Sequence, residues 1–178
     1  MQAGLSLSLI SDAMGRCFGY WNGLRAGGSA PTLLELDPFF SSALTECAIA
    51  ADVSGPPEDF AFWAVGNALL PYVKDTRPGR SFAELHGERG DSLLWQAYAA
   101  VKTRGMPHFA AFDYDGPVPG IRSTRELFLP FRQPETSDIG DVLTVVEFST
   151  DPVPRDTLGA SQRVPLPVKS RRRVLATT

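Results

Sequence analysis

Few residues in this chain are of types that make or break bonds. There are two histidines, His86 and His108, and two cysteines, Cys17 and Cys47. A Ser-His-Asp or Cys-His site needs a histidine beside its nucleophile to move protons. Neither histidine sits in such a setting, and no Gly-x-Ser-x-Gly elbow is present. His86 is expected to close a short helix beside Gly87, where a positive charge suits the helix C-terminus. His108, next to Pro107, opens a predicted strand. Two histidines and two distant cysteines lack the close ligand pairs of a zinc site. Asp113 and Asp115 alternate around Tyr114 at a strand end and read as solvated turn carboxylates. Gly27-Gly28 lacks the lysine of a phosphate-binding loop and is expected to end a helix. These residues predict a protein without a catalytic or metal site.

The elements that place these residues can be read from spacing. Ile10, Ala13, Met14, Cys17, Phe18, Trp21 and Leu24 share one helical stripe, with Ser8 or Ser11 as its cap. Residues 32–42 hold a helical turn or two, and Asp37-Pro38 marks a corner. Residues 44–53 and 60–66 form a predicted hairpin across the turn at 54–59. Short helical pieces fill 67–90. Asp91 is expected to cap a helix over 91–104, stopped by Gly105. Strands are predicted over 107–115, 122–131 and 141–149.

Two hairpins flanking a helical crossover make an α+β domain with one antiparallel sheet and helices on a face of it. The expected organisation is a flanking helix in 1–30, a domain in 31–150 and a flexible, basic, proline-containing tail in 151–178. Residues 1–150 carry 11 Lys/Arg and 18 Asp/Glu, net −7, whereas 151–178 carry six basic residues against Asp151 and Asp156, net +4. An acidic body does not attract nucleic acid. The basic tail is short and has no interleaved aromatic residue for stacking bases. Two cysteines make no disulfide framework. The apolar start at Leu5 to Ile10 has no preceding basic residue, which argues against a secretory signal, and no run approaches the roughly 18 apolar residues of a membrane span. A cytoplasmic protein is expected.

This order of elements resembles the PAS fold, and several short motifs resemble a bacterial subfamily of stand-alone PAS domains. Across residues 19–149 these are Tyr20-Trp21, Leu24-Arg25, Gly27 or Gly28, Pro31, Asp37-Pro38 and Asp52-Val53, followed by Val65-Gly66-Asn67-Ala68, Asp75-Thr76, Gly79-Arg80, Phe82-Ala83-Glu84-Leu85 and Arg125 to Phe131. The copy departs from the subfamily pattern at Asn67, where threonine is usual, and by inserting Arg77-Pro78. The resemblance implies a five-stranded antiparallel sheet enclosing a pocket or packed core, and a role in sensing or protein contact without catalytic residues. It implies an unidentified signalling protein as partner. Haem is disfavoured because residues 91–104 hold no histidine, and flavin because the Asn-Cys-Arg-Phe motif is absent.

The residues that can surround the interior are Trp63, Asn67, Phe82, Trp95, Tyr98, Phe109, Phe112 and Phe128, as a packed aromatic core or as the lining of a small apolar ligand pocket. Alternation sends Phe62 and Trp63 to opposite faces. Met14, Phe18 and Trp21 form a stripe that is buried either within the chain or in a homodimer. A different class of protein, a cone-like α+β carrier or enzyme, would rely on His108, Asp113 and Glu126.

Overall fold

The computed structural model describes residues 11–25, 27–36, 46–73, 78–86, 92–153 and 162–163. Helix α1 (Asp12–Leu24) is capped by Ser11, whose side chain accepts from the Met14 N–H. The chain leaves the helix at Arg25, and Gly27 and Gly28 turn it with φ of 63° and 93°. A 3-10 turn at Leu33–Glu35 follows. The hairpin pairs β1 (Ala48–Asp52) with β2 (Ala61–Val65). Next come a turn at Asn67–Leu69, α2 (Phe82–His86) and α3 (Leu93–Arg104). Ser92 caps α3 through Trp95 N–H, while the expected cap Asp91 lies outside the described residues. Gly105 ends α3 at φ 60°, returning its N–H to the Val101 carbonyl, a left-handed position that suits glycine. Strands β3 (His108–Asp113), β4 (Ser123–Arg132) and β5 (Ile139–Ser149) complete the core of the sheet.

The strand order is β2-β1-β5-β4-β3-β6, and every pairing is antiparallel. The five-stranded antiparallel sheet and the α+β class are as expected. The sixth strand, β6 (Gln162–Arg163), falls within the segment read as a tail and pairs with His108 and Phe109. The remainder of 154–178 lies outside the described residues. Both sheet edges are partly covered. The Phe62 N–H donates to the Arg80 carbonyl at 3.0 Å along β2, and β6 lies along β3. Covered edges have fewer free backbone groups for another chain to pair with.

Register sorts the side chains by face. Phe128, Thr144 and Ile49 form one cross-strand row facing α2 and α3, here the inner face. Their neighbours Leu127, Leu129, Leu143 and Val145 face the other way, and all are buried. Helix α1 crosses that outer face. Ser11 donates to the Glu147 carboxylate, and Trp21 Nε1 donates to the Pro130 carbonyl at 2.8 Å. Met14 and Trp21 are buried within the chain itself, the first of the two alternatives expected for this stripe. Phe18 remains half-buried, stacked on Trp21 at 6.3 Å. Cys17 is buried there too, and burial pushes its thiol up to about 11. A Trp21→Phe variant keeps most of the packing but orphans the Pro130 carbonyl. It is expected to lose about 1–2 kcal/mol of stability in urea unfolding.

Among the described residues, no helix is long and apolar enough to cross a membrane.

Candidate functional site

The inner face is built around Tyr98, which α3 presents to the middle of the sheet. Its ring meets Phe82 edge-on at 4.7 Å, Phe128 at 5.0 Å and Phe62 at 6.2 Å. Phe62 and Phe82 stack at 4.3 Å, and Phe60 meets Phe82 edge-on at 5.8 Å. Such edge-on and offset contacts add to the stabilisation that burial gives. The Tyr98 hydroxyl accepts from Thr144 Oγ1 at 2.7 Å, so neither buried hydroxyl is left unsatisfied. Burial holds the phenol far above its ordinary range.

Farther along the same face the interior becomes polar at one point. Glu126 is buried, with Ala110 and Val146 as its cross-strand neighbours. Its Oε1 accepts from Thr124 Oγ1 at 2.9 Å. Burial in these apolar surroundings raises its carboxyl from 4.5 to about 7, with the Thr124 hydrogen bond opposing the shift. Next to it along the sheet is a second aromatic group: Tyr72 stacks on Phe148 at 4.4 Å, and Tyr114 meets Phe148 edge-on at 5.7 Å. The Tyr114 hydroxyl donates to the Tyr72 carbonyl at 2.7 Å. His108 is buried on the inner face opposite Phe128. Burial, and then the nearby Arg104, lower its pKa.

The expected lining residues divide. Phe82, Trp95, Tyr98 and Phe128 are buried, and Phe112 meets Phe128 at 6.4 Å on the inner face. Phe109 is buried but pairs with Leu127, so it belongs to the outer face. Trp63 is 48% exposed and hydrogen-bonded to Asp141 on the outer face. The register shifts between Ala50 and Ala51, leaving Trp63 as the extra residue of a bulge. Asn67 is exposed on its 3-10 turn and reaches no interior position. Asp113 lies at the exposed end of β3 on the face opposite Glu126, so these two candidates do not converge. Thr124 and Thr144, which supply the interior hydroxyls, were not among the expected residues. Their signal was alternation, since both fall in phase with Phe128 along paired strands.

A groove of about 670 Å³ opens elsewhere, at the end of the sheet. Ser29, Lys102, Arg104, Gly105, Gln133 and Asp138 are among its walls. Among the described residues, no group of three or more His, Cys, Asp or Glu side chains is placed to hold a metal ion. The inner face can thus do two things chemically. It can enclose apolar surface, and it can offer one carboxyl that donates when protonated and accepts when ionised. Comparison with protein-family models, with curated proteins and with solved structures finds no match for this chain.

Proposed function

We propose that this chain is a PAS-type sensory or regulatory module of the cytoplasm, without a catalytic site, that responds to a small apolar ligand and passes the response to a signalling protein. The observation that carries this reading is the sheet itself. Two antiparallel hairpins sit side by side in the order β2-β1-β5-β4-β3, and the segment joining them roofs one face. Beneath that roof lie the aromatic cluster and the buried carboxyl of Glu126. Such an interior suits an apolar body with one polar group. A ligand there acts by preferring one of two packings of the roof on the sheet.

The buried carboxyl near neutrality also favours a second reading, a carrier or enzyme with a cone-like interior. That reading needs a second group, and His108 is an ionisable side chain on the same face. Turnover of any substrate that survives both Glu126→Gln and His108→Ala removes it.

The regulatory reading is tested by light scattering and affinity capture of the full chain from its own host. The expected result is a defined partner or a second copy that binds the chain and is released on addition of the ligand. A strict monomer with no partner contradicts the reading.

A further inference from the structure

Glu126 is 9% exposed, so its side chain is buried without being sealed off. A carboxylate offers two oxygens with about four lone-pair sites. Here the hydrogen bond that reaches it comes from a neutral donor, the Thr124 hydroxyl. Among the described residues, no cation is paired with it. The groups around it do not supply the missing charge. On β3, Ala110 is directly opposite, and His108 lies two positions along the same face. On β5, Val146 is opposite, between Thr144 and Phe148. From α3 comes Tyr98, whose phenol the Glu126 charge raises further. On its own strand, Arg122 falls in phase but is exposed and four positions away. Asp113 and Glu147 belong to the outer face. An ionised carboxylate removed from water needs a countercharge, and the chain leaves that place open.

Aromatic rings stand beside that place. The bond to Thr124 turns the carboxyl toward the row in which Thr124 is paired with Phe112 on one side and Phe148 on the other. Tyr72 stacks on Phe148 and Tyr114 meets it edge-on. Phe128 follows two positions along β4. Phe82, Tyr98 and Phe128 are fully buried, whereas Phe112, Phe148, Tyr72 and Tyr114 are only half-buried. This second aromatic group is therefore partly open to solvent, and Ala110 is the small side chain between His108 and Phe112 beside it. Aromatic faces attract cations. A carboxyl without a countercharge, next to half-open rings, is complementary to an organic ammonium. The charge meets the carboxylate, the N–H groups satisfy its lone pairs, and the hydrocarbon body covers the rings. An alcohol supplies the hydrogen bond without the charge, and an anion is repelled.

We infer that the ligand of the inner face is an organic ammonium, its N–H groups donating to the Glu126 carboxylate and its hydrocarbon body lying against Phe112, Phe148 and Tyr72. The assignment rests on the ligand-binding reading above and names the polar group of that ligand. Binding then releases a proton. The free chain holds the Glu126 carboxyl protonated up to about pH 7, and the arriving ammonium favours its ionised form.

Isothermal titration calorimetry of the full chain with matched probes tests it. Phenethylamine is compared with phenethyl alcohol and phenylacetate, and hexylamine with hexanol and hexanoate. At about pH 8 each amine is expected to bind about tenfold or more tightly than its alcohol, and the carboxylates most weakly. Amine affinity is expected to rise about tenfold from about pH 6 to about pH 8, because Glu126 titrates at about 7 and must lose its proton. The other ionisable groups on this face do not produce that rise. His108 has a lowered pKa, and an imidazole losing its charge near pH 6 affects only the acid end, while the Tyr98 phenol stays protonated throughout. In Glu126→Gln, which keeps the fold, both the preference for the amine and the rise with pH are expected to vanish. An alcohol bound as tightly as its amine, an amine affinity flat with pH, or one unchanged in Glu126→Gln overturns the ammonium assignment and leaves the ligand reading standing. Absence of binding across both series overturns the assignment and counts against the ligand reading as well.

Discussion

The Glu126→Gln variant is expected to be more stable than the native chain above neutral pH. Burial raises the Glu126 carboxyl from 4.5 in the unfolded chain to about 7 in the folded one, so the folded state holds its proton more tightly. Stability from this group is present below pH 4.5 and is lost as pH rises toward about 7. The shift corresponds to about 3 kcal/mol. Glutamine keeps the shape of the protonated side chain and never ionises. Urea unfolding at about pH 8 is expected to show the variant ahead by about 3 kcal/mol, with the gap nearly closed at about pH 4. His108 has a lowered pKa, so its contribution runs the other way and weakens as pH falls through the histidine range. Subtracting the two curves cancels it. A variant less stable than the native chain at every pH would mean that the ionised carboxylate is held by a charge partner, and the apolar picture of this site would fail.

Tyr98→Ala is expected to be the most damaging single change on the inner face, at about 4 kcal/mol or more. It removes a fully buried ring from contact with Phe62, Phe82 and Phe128 and also orphans the Thr144 hydroxyl. Two milder variants separate these effects. Tyr98→Phe keeps the ring and strands Thr144, at a cost of about 1–2 kcal/mol. Adding Thr144→Val removes the stranded group, and the double variant is expected to recover much of that loss. If Tyr98→Phe proves neutral in chemical denaturation, the hydroxyl pair contributes nothing and only packing matters here.

The element order was legible because helix and strand periods differ and because Gly, Pro and Asp mark the turns. Trp21 and Met14 lie on a helical stripe that had to be covered, but a stripe does not say what covers it. The Trp21–Pro130 contact spans 109 positions and belongs to tertiary structure. Phe62 and Trp63 were expected on opposite faces, and they are. Which of them points inward depended on the phase of β2 against β1, fixed by the bulge. Phe109 was misplaced for a related reason. Strands buried on both faces lose the apolar–polar alternation that reveals phase, and β4 is buried along nearly its whole length. Glu126 was noticed only as one of three ionisable residues, with His108 and Asp113, that a cone-like carrier or enzyme would use. Its significance came only from what lies across the strands, Ala110 and Val146, neither of which can pair with a charge.

The central claim is that the roofed inner face receives a small molecule. Native mass spectrometry of the chain purified from its own host tests it most directly, because bound mass and subunit count are read together. The account predicts a small non-covalent adduct on the native chain that is diminished in Glu126→Gln and in Tyr98→Phe. Bare native chain, or an adduct retained undiminished in both variants, would contradict it.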